Sequence, residues 1–206
     1  MSATDPEFQR WNARFAAPDY VFGVEPNAFL AAQAQRLKPG QKALVPADGE
    51  GRNGVWLARQ GLDVTSLDFS PAAQEKARKL AARFGVALRT ELADLRQWRP
   101  EPARYDIVAA IMIQFAPAPE REAILRALVT ALKPGGLLLL QGYRPEQLAY
   151  KTGGPPAAEN MYTEELLRRV FADMTILHLR AHDDAIAEGA GHSGMSALID
   201  LVAEKR

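Results

Sequence analysis

The sequence predicts an α/β fold of the Rossmann-like, doubly wound kind, with a seven-stranded, mostly parallel sheet and a C-terminal antiparallel hairpin. Three observations predict it. Short apolar runs alternate with segments of helical periodicity from about residue 41 to residue 143, the pattern of successive βαβ units. A glycine-rich turn follows the first of those runs. Two runs of alternating character then end the chain, as a hairpin closing a sheet edge would.

Taken in order, Trp11, Phe15, Tyr20 and Phe22 suit a helix and loop packed on the sheet, and a further helix starts near Pro26. Strands are expected at 42–46 (KALVP), 63–68 (DVTSLD), 87–92 (ALRTEL), 105–113 (YDIVAAIMI) and 136–143 (GLLLLQGY). Each is short, apolar and bounded by Gly, Pro or polar clusters. The unbroken apolar stretches AAIMI and LLLL fit strands covered on both faces. Between the strands, apolar residues recur at helical spacing, as in Leu125, Leu128, Val129 and Leu132. Ser70-Pro71 supplies an N-cap followed by proline at the first helical position. Gly85 ends that helix, and Lys133-Pro134-Gly135 ends the next.

Residues 144–161 show no periodicity and read as a long loop, in which Gly153-Gly154-Pro155-Pro156 suits a hinged flap. With Tyr20 to Gly23 this loop is expected to form a two-part lid. TEELLRRVFA follows as a short helix, and MTILHLRAH and GMSALIDLVAEK as the closing strands, joined by DDAIAEGAGHS.

Composition narrows the chemistry. Lys and Arg number 25 against 25 Asp and Glu, which argues against a general nucleic-acid binder. No cysteine is present, so thiolate nucleophiles, disulfides and cysteine-ligated metals are excluded. With three histidines (His178, His182, His192), no metal site is expected. No apolar run approaches the roughly 20 residues of a membrane-spanning helix. The N-terminal residues lack a basic and then apolar leader pattern, so a cytoplasmic protein without membrane partners is expected.

The turn reads ALVPADGEGRNGVWLA, in which Gly49, Gly51 and Gly54 satisfy G-x-G-x-x-G between a strand and a helix. Glycines there let a ligand approach the backbone, and the next helix offers unpaired N–H groups. Asp68 ends the second strand, where a carboxylate can accept from both ribose hydroxyls of an adenosine ligand. This logic suits a nicotinamide dinucleotide and S-adenosylmethionine (SAM) alike.

GEGRN, VTSLDFS, Ala93-Asp94-Leu95, the strand YDIVAAIMIQF, LKPGG and the closing hairpin together resemble a class I SAM-dependent methyltransferase over roughly residues 41–203. The N-terminal WNARFAAPDYVFGVEPNAFL and the late GAGHSGMSALIDLVAEK are similar to the tellurite-resistance methyltransferase-like group. VPADGEGRN is similar, more distantly, to thiopurine methyltransferases. Many members carry an acidic residue on the first strand where this chain has Val45. The resemblance implies one domain over 1–206: a helical and lid segment (1–40), a cofactor-binding core (41–143), and a loop, helix and closing hairpin (144–206).

It also implies roles. Ala47, Asp48, Gly49 and Gly51 would line the methionyl end of SAM. Asp68 would hold the ribose, and Phe69 would pack on the adenine. Asp94 would accept from the adenine amino group, and the Leu95 amide would donate to the ring. Phe69 and Leu95 equally suit plain core packing. Ile111, Met112 and Gln114 would complete the cofactor site, with Met112 and Gln114 towards the sulfonium. Tyr20, Phe115 and Arg144 would face a small-molecule acceptor, although a solvated loop charge also describes Arg144. His192, between glycines, is the best-placed candidate base, or else a turn residue. A soft S, Se or Te acceptor needs no base. A nicotinamide-dependent oxidoreductase and a non-catalytic SAM-binding protein stay open at this point. No feature of the sequence fixes an oligomeric state.

Overall fold

The computed structural model describes residues 5–189 and 191–206, which fall into two units. The first runs to Trp98 and takes in Glu188 and Gly189; the second comprises Arg99–Ala187 and Gly191–Arg206.

In the first unit, α1 (Pro6–Phe15) starts at Asp5, whose side chain accepts from the amides of Glu7 and Phe8, with proline at the first helical position. After α2 (Ala28–Ala32) come β1 (Lys42–Pro46), α3 (Arg52–Arg59), β2 (Asp63–Asp68), α4 (Pro71–Arg83) and β3 (Arg89–Leu92). Ser70 caps α4 as expected, its hydroxyl accepting from the Ala73 amide at 3.2 Å. Ala73, Ala77, Leu80 and Ala81 form the buried stripe of α4. Gly85, at φ +66°, follows the end of that helix. The strands lie in the order β3-β2-β1, all parallel, from Lys42 opposite Asp63 to Asp68 opposite Leu92.

The second unit contains β4 (Tyr105–Ile111), α5 (Glu120–Ala131), β5 (Leu132–Tyr143), α6 (Gln147–Tyr150), α7 (Glu164–Val170), β6 (Met174–Glu188, whose last residue belongs to the first unit) and β7 (His192–Lys205). β4 and β5 run parallel, while β5 and β7 run antiparallel from Leu137 opposite Glu204 to Tyr143 opposite Leu198. The order here is β4-β5-β7-β6. Among the described residues, the seven strands are thus those of the expected mixed sheet, mostly parallel with antiparallel pairing at its C-terminal end.

Five expected boundaries move. β5 starts at Leu132 instead of Gly136, because Leu132 already pairs with Tyr105 of β4, so Lys133-Pro134-Gly135 lies within the strand and α5 ends at Ala131. β3 starts at Arg89, because Val86 and Leu88 pack against Val55, Leu80 and Ala81 instead of joining the ladder. β4 stops at Ile111, because Met112 takes a left-handed φ of +56°. The 144–161 stretch holds α6 and a 3₁₀ turn at Ala158–Asn160. Its organiser is Gln147: this buried amide accepts from the Ala197 amide and donates to Thr152 and Gly153, a tertiary anchor that leaves no periodic trace. Finally, most of DDAIAEGAGHS is strand, since β6 reaches Glu188 and β7 begins at His192. Its polar residues reflect an exposed edge strand rather than a connection.

Candidate active site

The glycine turn is built as the spacing requires. Gly51 caps α3 at φ +89°, and a Cβ there would lie 2.6 Å from the Ala77 Cβ of α4, so the turn is pressed onto the neighbouring helix. Ala47 also lies in the left-handed region, at φ +48°, where a side chain costs about 1–2 kcal/mol. Ala47→Gly should therefore stabilise the protein. The unfolded-state entropy of glycine, about 0.4–1 kcal/mol, trims the gain to below about 1 kcal/mol. A calorimetric melt is expected to rise by roughly 1–4 °C; a lower Tm would mean that Ala47 is unstrained.

Two buried carboxylates lie under this turn. Asp48 accepts from Ser66 Oγ at 2.7 Å and from the Gly54 amide at 3.2 Å. Burial pushes its carboxyl up to about 7, reinforced by the charge of Asp68 and opposed by these two bonds and by Arg52. Asp68 accepts from the amides of Gly49 and Ser70, each at 2.9 Å, and burial pushes it up to about 6. Asp48 thus presents its backbone to the turn while its carboxylate braces β2 and α3. Asp68 ties the turn to the end of β2.

The charged and amide residues between the glycines hold the N-terminal segment. Glu50 accepts from the Val21 amide at 2.8 Å and pairs with Lys76 at 2.7 Å. Asn53 Oδ1 accepts from the Asn27 amide at 2.9 Å. Arg52 pairs through Nη2 with Glu188 at 2.6 Å, and Glu188 also accepts from Asn27 Nδ2 at 2.8 Å. Arg52 Nη1 is buried and has no partner among the described residues. Glycine spacing alone does not mark these roles; the charged and amide side chains within GEGRN are the sequence signal for them.

Helix α1 packs beside the same turn, where a Cβ on Gly49 would lie 3.3 Å from the Phe15 ring. Phe8 meets Phe69 edge-on with centroids 5.8 Å apart, and Asn12 Oδ1 accepts from Ser70 Oγ at 2.8 Å. Asp94 is held by Arg96, whose Nε donates to it at 3.1 Å, and Arg96 also pairs with Asp5 at 3.2 Å. Leu95 is buried. Tyr20 packs beside Val55, Leu80 and Ala81, and its hydroxyl donates to the Lys76 carbonyl at 3.2 Å, so its contacts are with α3 and α4.

In the second unit, Ile111 is buried at the end of β4. Gln114 is locked to Tyr143, donating through Nε2 to its carbonyl at 2.8 Å and accepting from its amide. Met112 packs against Tyr143, Met161 and Leu198, and Phe115 is half-buried. The His192 ring meets Tyr143 edge-on at 5.8 Å, at the start of β7 rather than in a free corner. Arg144 donates to the Leu198 carbonyl at 3.0 Å and pairs with Asp183 and Glu146, so its guanidinium already has protein partners. Among the described residues, no cluster of acidic or histidine side chains could hold a metal ion.

Comparison with known proteins agrees with this geometry. A methyltransferase-domain family model matches residues 44–136. The chain is 29% identical over 163 residues to protein-L-isoaspartate O-methyltransferase of Methylorubrum populi, covering 69% of this chain and 76% of that one. It spans 59% or less of the length of several other methyltransferases that it matches. One solved structure concerns the conversion of a disulfide bond into a thioacetal group during echinomycin biosynthesis. It superposes with a TM-score of 0.77 at 20% identity, over 96% of this chain and 91% of that one. TehB from Haemophilus influenzae superposes with a TM-score of 0.71 at 16% identity, over 97% and 67%. The methyltransferase-domain match over residues 44–136 and the shared fold support a class I SAM-dependent methyltransferase, with SAM as the cofactor. Within that class its fold resembles that of TehB.

Proposed function

We propose that this enzyme methylates a small molecule at a soft sulfur, selenium or tellurium nucleophile. The observation that carries the reading is the chemistry at the end of β4: Ile111, Met112, Ile113, Gln114 and Phe115 include no ionisable side chain, and the Gln114 amide is fixed to Tyr143. A nucleophile that is already anionic or highly polarisable needs positioning and a dry surface rather than a base. The fold likeness to TehB and to the protein from echinomycin biosynthesis supports the same reading.

The residues fit SAM. Each Asp68 oxygen accepts one amide and keeps acceptor capacity for a ribose hydroxyl. Ala47, Asp48, Gly49 and Gly51 would line the methionyl end through their backbone, with Phe69, Asp94 and Leu95 at the adenine. Ile111, Met112 and Gln114 would orient the transferring end. Phe115, with Tyr143 and His192, would hold the acceptor. Bound SAM supplies an activated methyl group; the protein aligns the acceptor and excludes water. The balance of 25 basic and 25 acidic residues supports a small-molecule partner over a nucleic acid. Among the described residues no helix is long and apolar enough to cross a membrane.

Calorimetry should detect binding of SAM and of its product S-adenosylhomocysteine (SAH), and none of NAD. With SAM present, mass spectrometry should then show methylation of thiols or selenols well ahead of phenols and amines. Preferential methylation of an amine or phenol would overturn the soft-acceptor reading.

A further inference from the structure

Arg52 holds a cation in an unusual state. The residue is 6% exposed, and one face of its guanidinium is neutralised by Glu188 at 2.6 Å. The other terminal nitrogen, Nη1, is equally buried and has no acceptor among the described residues. A dry, unpaired donor is costly, and more so when it is charged, so such a group is normally completed by a partner. Relaxation is restricted. Glu188 also holds Asn27, and the Asn27 amide is held by Asn53, the next residue of α3. The guanidinium stands close enough to Asp48 to draw its carboxyl down, which puts it beside the glycine turn. Gly51 offers no capping side chain, so the first turn of α3 adds its own partial positive charge.

We infer that Arg52 Nη1 anchors the α-carboxylate of SAM, an inference that rests on the placement of SAM at this turn under Proposed function. Adenine, ribose and the sulfonium carry no negative charge, so the carboxylate is the only anionic group of the cofactor. A guanidinium nitrogen presents two N–H groups to it. Glu188 and Asn27 act as positioning residues. Their bonds keep Arg52 at the turn, and Glu188 balances its charge while no ligand is bound.

The test compares SAH with 5′-methylthioadenosine, which keeps the adenosine and sulfur but lacks the amino-acid end. Titration calorimetry is run on the wild type, Arg52→Gln and Arg52→Lys, each checked by its melting curve. Arg52→Gln is expected to weaken SAH at least tenfold while changing methylthioadenosine less than twofold, and Arg52→Lys to recover part of the loss. Equal losses for both ligands, or no loss for either, would overturn the inference. A second measurement needs no variant: the wild type should bind SAH at least tenfold more tightly than its carboxamide derivative. Equal affinities would overturn the inference even if the Arg52 variants fail to fold. A wild type that binds neither SAH nor methylthioadenosine would instead sink the placement of SAM itself.

Discussion

Asp68→Ala should lose SAM affinity and fold stability together. Its carboxylate holds the Gly49 and Ser70 amides, each at 2.9 Å, in a residue only 3% exposed. Removing it strands two buried donors at about 1–3 kcal/mol each, so a total of about 2–6 kcal/mol is expected. In a chain of this size that lowers Tm by roughly 5–15 °C. The lost ribose acceptor should weaken SAM a further 10- to 100-fold in protein that remains folded, about 1.5–3 kcal/mol. Asp68→Asn should lose less stability, because it mismatches only one of the two donors and removes the charge whose burial raises the Asp68 pKa. Differential scanning calorimetry and SAM titration below the variant's Tm provide the two readouts. A variant as stable as the wild type would refute the amide cradle. Unchanged affinity in folded protein would place the ribose elsewhere. A strand-end carboxylate read only as a ligand group would be expected to leave the fold intact; the two amide bonds give it a structural share as well.

That double role shows how far the sequence carries. Local rules were enough wherever a residue acts on its near neighbours. Ser70, Pro71 and Gly85 delimit α4 by capping and backbone geometry alone, and continuous apolar runs mark β4 and β5. The glycine turn was legible for the same reason, since glycine spacing between a strand and a helix is a local signature. Residues whose partners are distant in sequence were not legible. Glu188 meets Arg52 across 136 positions, and Gln147 meets Ala197 across 50. Neither pairing leaves a periodic or motif signal. The edge strand β6 failed differently, because its outward residues are polar enough to resemble a loop. Tyr20 and Arg144 carry suitable chemistry for an acceptor site, yet their contacts follow from packing and ion pairing that only the folded chain decides.

Asp48→Asn is expected to stabilise the protein at alkaline pH and to flatten its stability profile. Asp48 has a folded pKa of about 7 and Asp68 one of about 6, both above the ordinary 3.8. Between roughly pH 4 and 7 the folded protein therefore keeps protons that the unfolded chain has released. Stability must fall as pH rises through that window, the reverse of a salt-bridged carboxylate. The contribution of Asp48 is fully present below about pH 4 and lost above about 7. Asparagine is neutral throughout. Its oxygen can still accept from the Gly54 amide, and its nitrogen can donate to Ser66 Oγ, reversing the present bond. At pH 8 the variant should thus be more stable by roughly 2–4 kcal/mol, since a tenfold change in the proton affinity of a group is worth about 1.4 kcal/mol. At pH 4 the two proteins should nearly coincide. The slope left in the variant belongs to Asp68 and should end near pH 6, below the end of the wild-type decline near pH 7. Melting curves of the two ligand-free proteins from about pH 4 to about pH 8.5 supply the check. Parallel profiles across that range would mean that Asp48 is ionised in the folded protein at every pH tested, and that its bonds to Ser66 and Gly54 outweigh its burial.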